Sequence, residues 1–271
     1  MARHNPVNEF EALLATRGAE AARGTFHDAV VVRDEWVARF PRTALVLADA
    51  RRRAEALRRI ARLGLPFAVP EVVEERLDLP LGRAHVIVSY LPGEPAETAS
   101  DDAVREVLDA LAAVELDDEL VALLDEPLHH AGGRQVAEAI TELVFPLLDA
   151  DERAQASEVL QRFADLPVVT GFVHGDLAPV NLRWHNGRIS GVIDWDFACA
   201  GDPALDAAAF ANYGWPLVRR IRPELYERAR THAAMFPLTG AVSEIRQGGD
   251  PARFLAWFRR RCAVREHPPT S

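Results

Sequence analysis

The chain has 271 residues, 49% of them apolar, enough for one large domain or two lobes with a substantial core. Its 41 Asp and Glu against 31 basic residues argue against a nucleic-acid backbone as partner, and no apolar run approaches the roughly 20 residues needed to span a bilayer. With no apolar signal core at the N-terminus and with Cys199 and Cys262 as the only cysteines, a disulfide framework is not expected and a reducing cytoplasm fits.

Residues 8–22 carry Phe10, Leu13 and Leu14 on one side and predict a helix. Gly24-Thr25-Phe26-His27 breaks that pattern. AVVV and WVARF, joined by Arg33-Asp34-Glu35, then read as a hairpin that Pro41 ends, because proline cannot donate to the ladder. Residues 46–62 are rich in alanine, leucine and arginine at helical spacing and stop at Gly64 and Pro66. Short strands follow around Glu71–Glu75 and Ala84–Ser89, the second running into Pro92-Gly93. A lobe boundary is placed there, giving an N-terminal lobe over 1–91, a hinge at 89–93 and a C-terminal lobe over 94–271.

Residues 101–165 alternate helical stretches with breaks at Pro127, Gly132-Gly133 and Pro146. Residues 204–264 again read as helices, punctuated by Pro216, Pro223, Pro237 and Gly248-Gly249, before a frayed tail. Met235 and Phe236 read as core. The expected class is therefore α+β: a small β-rich lobe with one main helix, then a larger, mostly helical lobe.

Two features of charge bear on function. All 31 basic residues are arginine, so Schiff-base chemistry by lysine is excluded and any phosphate-clamping cation is a guanidinium. Between Glu94 and Leu160 there are 18 Asp and Glu against 3 Arg, an excess able to steer a cationic ligand, although solvated faces of acidic helices look the same.

The stretch FVHGDLAPVNLRWHNGRISGVIDWD carries the chemistry. His174-Gly175-Asp176 precedes Asn181 by the Asp-x4-Asn spacing, and Asp194 follows Asn181 by 13 residues. Between them Leu182–Trp184, an Asn186-Gly187 turn and Ile189–Ile193 predict a hairpin. Protein kinases space a catalytic-loop Asp, an Asn and a metal-binding Asp in the same way. Phosphoryl transfer needs a carboxylate near the attacking hydroxyl, hard cations on the phosphates and a cation on the donor.

The segments HGDLAPVN, VIDWDFACAGDP and the following ALD resemble the aminoglycoside phosphotransferases, relatives of choline kinase with a protein-kinase-like two-lobe fold. The order of elements extends the resemblance over most of the chain. It implies Asp176 as catalytic base, Asn181 and Asp194 as Mg²⁺ ligands, ATP or GTP as co-substrate, and His174 as a structural residue packing the loop. It places Arg39, in an R-F-P-R run that some members share, where the family usually has a lysine gripping the donor phosphates, with Glu55 as its helix partner. Arg42 is the rival for that role. Gly24–His27 would be the phosphate-covering loop, and Ser89 to Leu91 the hinge facing the purine. Asp196, Asp202 and Asp206 are expected to support the site from behind, Asp202 as a helix N-cap before Pro203 and Asp206 as a brace on the catalytic loop.

Two rival readings use the same residues. A di-metal hydrolase would use His174, Asp176, His185, Asp194 and Asp196, but His185 sits at a hairpin tip. A nucleotide-binding pseudokinase is disfavoured by the intact Asp176, Asn181 and Asp194. The acidic block suits a small cationic acceptor, an aminoglycoside or a basic cyclic peptide antibiotic; FHDAVVV, FPRT and VFPLLDADERA resemble the kinases of viomycin-type peptides. A macrolide, an amine, an amino acid or a sugar is left open, and neither nucleic acid nor membrane is expected as partner.

Overall fold

The computed structural model describes residues 9–266. In chain order the elements are α1 (Glu9–Leu14), β1 (Ala19–Arg23), β2 (His27–Val32), β3 (Trp36–Pro41), α2 (Ala44–Ala61), β4 (Val72–Arg76), β5 (His85–Ser89), α3 (Asp101–Ala112) and α4 (Asp118–Leu123). There follow α5 (Val136–Leu143), α6 (Ala150–Ala164), β6 (Gly171–Val173), β7 (Leu182–His185), β8 (Arg188–Val192), β9 (Cys199–Gly201), α7 (Ala204–Ala209), α8 (Trp215–Ile221), α9 (Tyr226–Arg246) and α10 (Ala252–Glu266).

These elements form two compact units, and neither is continuous in sequence. The first runs to Ala103 and adds Asp117–Leu124 and Pro179–Asp196; the second takes Val104–Leu116, Asp125–Ala178 and the chain from Phe197 on. The hairpin that follows the catalytic-loop motif thus packs with the first unit rather than with its neighbours in sequence.

The first unit is built on an antiparallel sheet in the order β1-β2-β3-β5-β4. Alternation in β2 and β3 turns Val30, Ala38 and Phe40 inward, where Phe10, Leu13, Leu14 and Trp36 cover them. Asp34 makes the turn between those strands at φ 63°, a conformation aspartate tolerates better than most residues. In α2 the Thr43 hydroxyl accepts from Val46 N–H, and Val46, Ala50, Ala54, Leu57 and Ile60 are buried at three- and four-residue intervals. The β7–β8 hairpin is tied to this unit through Ala68, which donates to Ser190 O and accepts from Val192 N–H.

The second unit is mostly helical. Val136, Ile140, Val144, Leu148 and Val159 meet Met235, Leu238, Val242 and Phe258 in one core, so α5, α6 and α10 pack around α9. Gly240 lets α10 approach: a Cβ there would come within 2.3 Å of the Phe254 ring. The short pair β6–β9 sets Val173 and Cys199 against Leu205.

The fold class and most element positions agree with the sequence reading. Three details differ. The helix expected to reach residue 22 ends at Leu14, and Ala19–Arg23 form β1, because pairing Ala19 with Val32 and Arg23 with Asp28 completes the edge of the sheet. Pro237 does not interrupt a helix: α9 runs through it from Tyr226 to Arg246. Proline removes the donor for the carbonyl four residues back, and Arg261 Nη1 supplies one instead, donating to Ala233 O at 2.6 Å. β9 was not anticipated at all. The frayed tail lies outside the described residues.

Candidate active site

In the first unit the site is organised by one arginine. Arg39 points from β3 and reaches Asp196 with both guanidinium nitrogens, Nη1 to Oδ1 and Nη2 to Oδ2, each at 2.9 Å, and Asp194 Oδ1 with Nη2 at 2.8 Å. His27 Nδ1 accepts from Arg39 Nη2 at 3.3 Å. Burial drives His27 down to about 3, with the Arg39 charge acting the same way, so the imidazole is neutral and its Nδ1 is an acceptor. Burial alone would raise Asp196; the Arg39 guanidinium outweighs it and holds this carboxylate well below the usual range. Arg39 is correspondingly locked in its charged form. Arg53 of α2 joins His27, Arg39 and Asp196 around a small cavity of about 30 Å³.

The metal-ligand candidates lie beside this group. Ile193 N–H donates to Asn181 O at 2.9 Å, which sets Asn181 and Asp194 next to each other at the end of the β7–β8 hairpin. Asp194 adopts φ 62°, a left-handed backbone in a non-glycine residue, and such strain gathers at functional sites. Its side chain is half-exposed, and Arg39 holds only Oδ1. Among the described residues nothing bonds Oδ2. Hard oxygen donors, one of them exposed, fit a divalent cation of the Mg²⁺ type.

The second unit holds the catalytic-loop motif. Asp206, buried at the start of α7, accepts from His174 N–H through Oδ2 at 2.8 Å and from Gly175 N–H through Oδ1 at 2.9 Å. Burial pushes its carboxyl up to about 7 against those two donors, and Asp176 adds like charge. His174 is fully buried, and its Nδ1 accepts from Asp176 N–H at 3.1 Å, which leaves the proton of the neutral ring on Nε2. Gly175 sits at φ 86°, and a Cβ there would lie 2.4 Å from Phe197 O, so only glycine makes this bend. The loop that presents Asp176 is therefore fixed on both sides.

Other expected residues fall elsewhere. Glu55 is not the partner of Arg39: it is exposed on α2 and bonds Arg58 at 3.1 Å, since helical geometry turns Ala54 and Leu57 toward the sheet and Glu55 away. Arg42 is turned to the backbone, donating from Nη1 to Gly24 O at 2.9 Å and Thr25 O at 3.1 Å, and so clamps the loop ahead of His27. Ser89 closes the end of β5, its N–H bonded to Glu71 O and its Oγ accepting from Glu71 N–H; Leu91 packs on Gly191. Asp202 accepts from Ala204 N–H, although α7 begins one residue later than expected with Pro203 at the cap. Arg228 and His232 also bond Asp202 and, against burial, bring its carboxyl down to about 2. His185 is exposed opposite Arg188 at the hairpin turn, the end of β8 away from Asp194, so the hydrolase set is not assembled within this unit. His27, expected only as the end of the phosphate-covering loop, is a direct partner of Arg39. Arg53 was missed, and its one sequence signal was its place one turn before Leu57 on the buried face of α2.

A model of the phosphotransferase enzyme family matches residues 18–241. The chain belongs to that family. Viomycin phosphotransferase of Streptomyces vinaceus is 33% identical over 228 residues, covering 75% of this phosphotransferase and 76% of the relative. A homoserine kinase of Allorhizobium ampelinum is 31% identical over 155 residues, covering 55% and 48%. Among solved structures, the GDP complex of aminoglycoside 2'-phosphotransferase-IIIa has a TM-score of 0.70 at 19% identity, over 92% of this chain and 91% of that one. A type I macrolide 2'-phosphotransferase reaches 0.62 at 24%, over 92% and 94%. At these identities the likeness is one of fold. The phosphotransferase is thus an enzyme with the α+β architecture of the antibiotic kinases.

Proposed function

We propose that this phosphotransferase moves the terminal phosphoryl group of ATP or GTP to a hydroxyl of a small antibiotic, a basic cyclic peptide or an aminoglycoside. The observation that carries this reading is the cluster in the first unit, where Arg39 meets Asp194 and Asp196 and the Asn181 carbonyl is bonded to Ile193 N–H, the residue before Asp194. A guanidinium beside two carboxylates and an amide is the set a polyphosphate with its cation requires. The 33% identity to viomycin phosphotransferase favours the peptide antibiotics.

In this reading Asp176 orients the acceptor hydroxyl and takes its proton as the bond to phosphorus forms, since a carboxylate is a poor base toward an alcohol before then. Asn181 and Asp194 would hold Mg²⁺, which neutralises charge on the transferring group. Arg39 binds the donor phosphates, and Asp196 aims it. His174 and Asp206 hold the Asp176 loop, and the backbone around Ser89 to Leu91 lines the purine site.

A second reading, an amino-acid acceptor, is favoured by the homoserine kinase relatives, each matched over about half its length or less. Incubating the enzyme with Mg²⁺, ATP or GTP, and viomycin, capreomycin, kanamycin, erythromycin or homoserine, then weighing the products, tests both. The proposal expects one added phosphoryl group on a cationic antibiotic. Transfer to homoserine alone selects the second reading, and phosphate release without any acceptor refutes both.

A further inference from the structure

The acidic block between Glu94 and Leu160 is the sequence feature that points to a cationic ligand, and in the structure much of it is engaged. Asp117 caps α4 and bonds Arg59; Asp149 caps α6; Asp109 bonds Arg222; Glu152 bonds Arg259; Glu94 bonds Arg33. One cavity shows the opposite charge. Within the second unit a cavity of about 760 Å³ opens between α6, α9, α10 and the start of α8, and its lining contains five arginines and a single acid, Glu227.

The helices produce this lining by their periods. Glu227, Arg230, Thr231 and Ala234 follow one face of α9, and Trp257, Arg260 and Arg261 one face of α10. Of the arginines, Arg228 is balanced by Asp202 through two hydrogen bonds. Arg261 donates to a carbonyl, Ala233 O, and so lies along the wall of the cavity. Arg230 and Arg260 have no ion pair among the described residues. Trp215 and Trp257 supply flat apolar walls, with the Arg261 guanidinium 5.9 Å from the Trp257 ring centre.

Guanidinium forks match carboxylates and phosphates, and indole walls match a flat apolar body. A polycation entering here would meet Arg230 and Arg260, charges of its own sign with no ion pair among the described residues. We propose that this cavity binds an organic anion, a carboxylate or phosphate carried on a planar apolar body. This goes beyond the phosphotransfer reading and concerns a ligand opposite in charge to the acceptor proposed above.

The test uses four probes with one ring system: naphthoate, naphthyl phosphate, neutral naphthol and cationic naphthylmethylammonium. Their binding to the full-length enzyme is read by quenching of tryptophan fluorescence and by calorimetry, without nucleotide, Mg²⁺ or turnover, so the outcome is independent of whether the phosphotransfer reading holds. At least one of the two anions is expected to bind roughly tenfold more tightly than naphthol and naphthylmethylammonium. Which anion wins separates a carboxylate ligand from a phosphate ligand. In the Arg230→Gln/Arg260→Gln double variant, whose exposed substitutions should leave the melting temperature unchanged, that preference should fall to the level of naphthol. Trp257→Phe should reduce the quenching. The proposal is overturned if the neutral or cationic probe binds as well as the anions, if no probe binds, or if the double variant keeps the preference for anions.

Discussion

Arg39 and Asp196 are joined by a two-pronged ion pair, with both guanidinium nitrogens 2.9 Å from the two carboxylate oxygens, while the same arginine holds Asp194 at 2.8 Å. The cation proposed for the donor phosphates is therefore aimed by one aspartate and shared with the proposed metal ligand. Arg39→Ala strands a largely buried carboxylate and should cost roughly 3 kcal/mol of stability, the lower end for a broken buried pair. It should also raise the KM for the nucleotide more than it lowers kcat. Thermal melting and steady-state kinetics check both.

Arg42 and Glu55 make the contrasting cases. Arg42→Ala frees Gly24 O and Thr25 O and should loosen the loop before His27, with a smaller rise in nucleotide KM than Arg39→Ala gives. Glu55→Gln removes only an exposed contact with Arg58 and should leave kcat and KM within about twofold of wild type. A large nucleotide defect in Glu55→Gln would show that the helix glutamate, not Asp196, governs Arg39.

How far the sequence reading reached follows from the range of each interaction. Asp176, Asn181 and Asp194 were legible because one continuous stretch of chain spaces them. Arg39 was reached through the resemblance of its R-F-P-R run to that of other phosphotransferases, with Arg42 as a rival. Its partner was not: Asp196 lies 157 residues away and was read as a support for Asp194, whereas Glu55 lay at the expected helical position. Local pattern misled at α1, where apolar spacing hid an edge strand decided by pairing with β2. It misled again at Pro237, where the missing donor is replaced from α10 by Arg261. Tertiary contacts of this kind leave no local trace.

Gly175→Ala should fail twice over. The left-handed backbone alone costs about 1–3 kcal/mol with a side chain, and the new Cβ would press on Phe197 O. We expect a lowered melting temperature and a kcat reduced more than nucleotide affinity, because the bend displaced is the one that presents Asp176.

Asp206 makes activity and stability respond to pH in opposite senses. With its carboxyl near 7 in the fold and near 3.9 when unfolded, the folded state binds the extra proton between those values. The contribution to stability is therefore full below about 4 and is lost as pH rises through about 7. Activity should run the other way, since only the ionised carboxylate accepts both the His174 and Gly175 N–H groups. A kcat profile with an acid limb near pH 7 that is absent from Asp206→Asn, itself less active at pH 8, would bear this out. An unchanged limb in that variant would assign it to another group.

The central claim is phosphoryl transfer with Asp176 as the proton acceptor, and the Asp176→Asn variant tests it most directly. Product formation on the best acceptor should be followed by mass spectrometry alongside nucleotide binding by calorimetry. The account predicts a phosphorylated acceptor and an equal yield of nucleoside diphosphate with the wild type. In the variant it predicts a roughly thousandfold slower reaction with nucleotide affinity retained. Wild-type turnover in Asp176→Asn, or diphosphate formation with no phosphorylated acceptor in either protein, would contradict it.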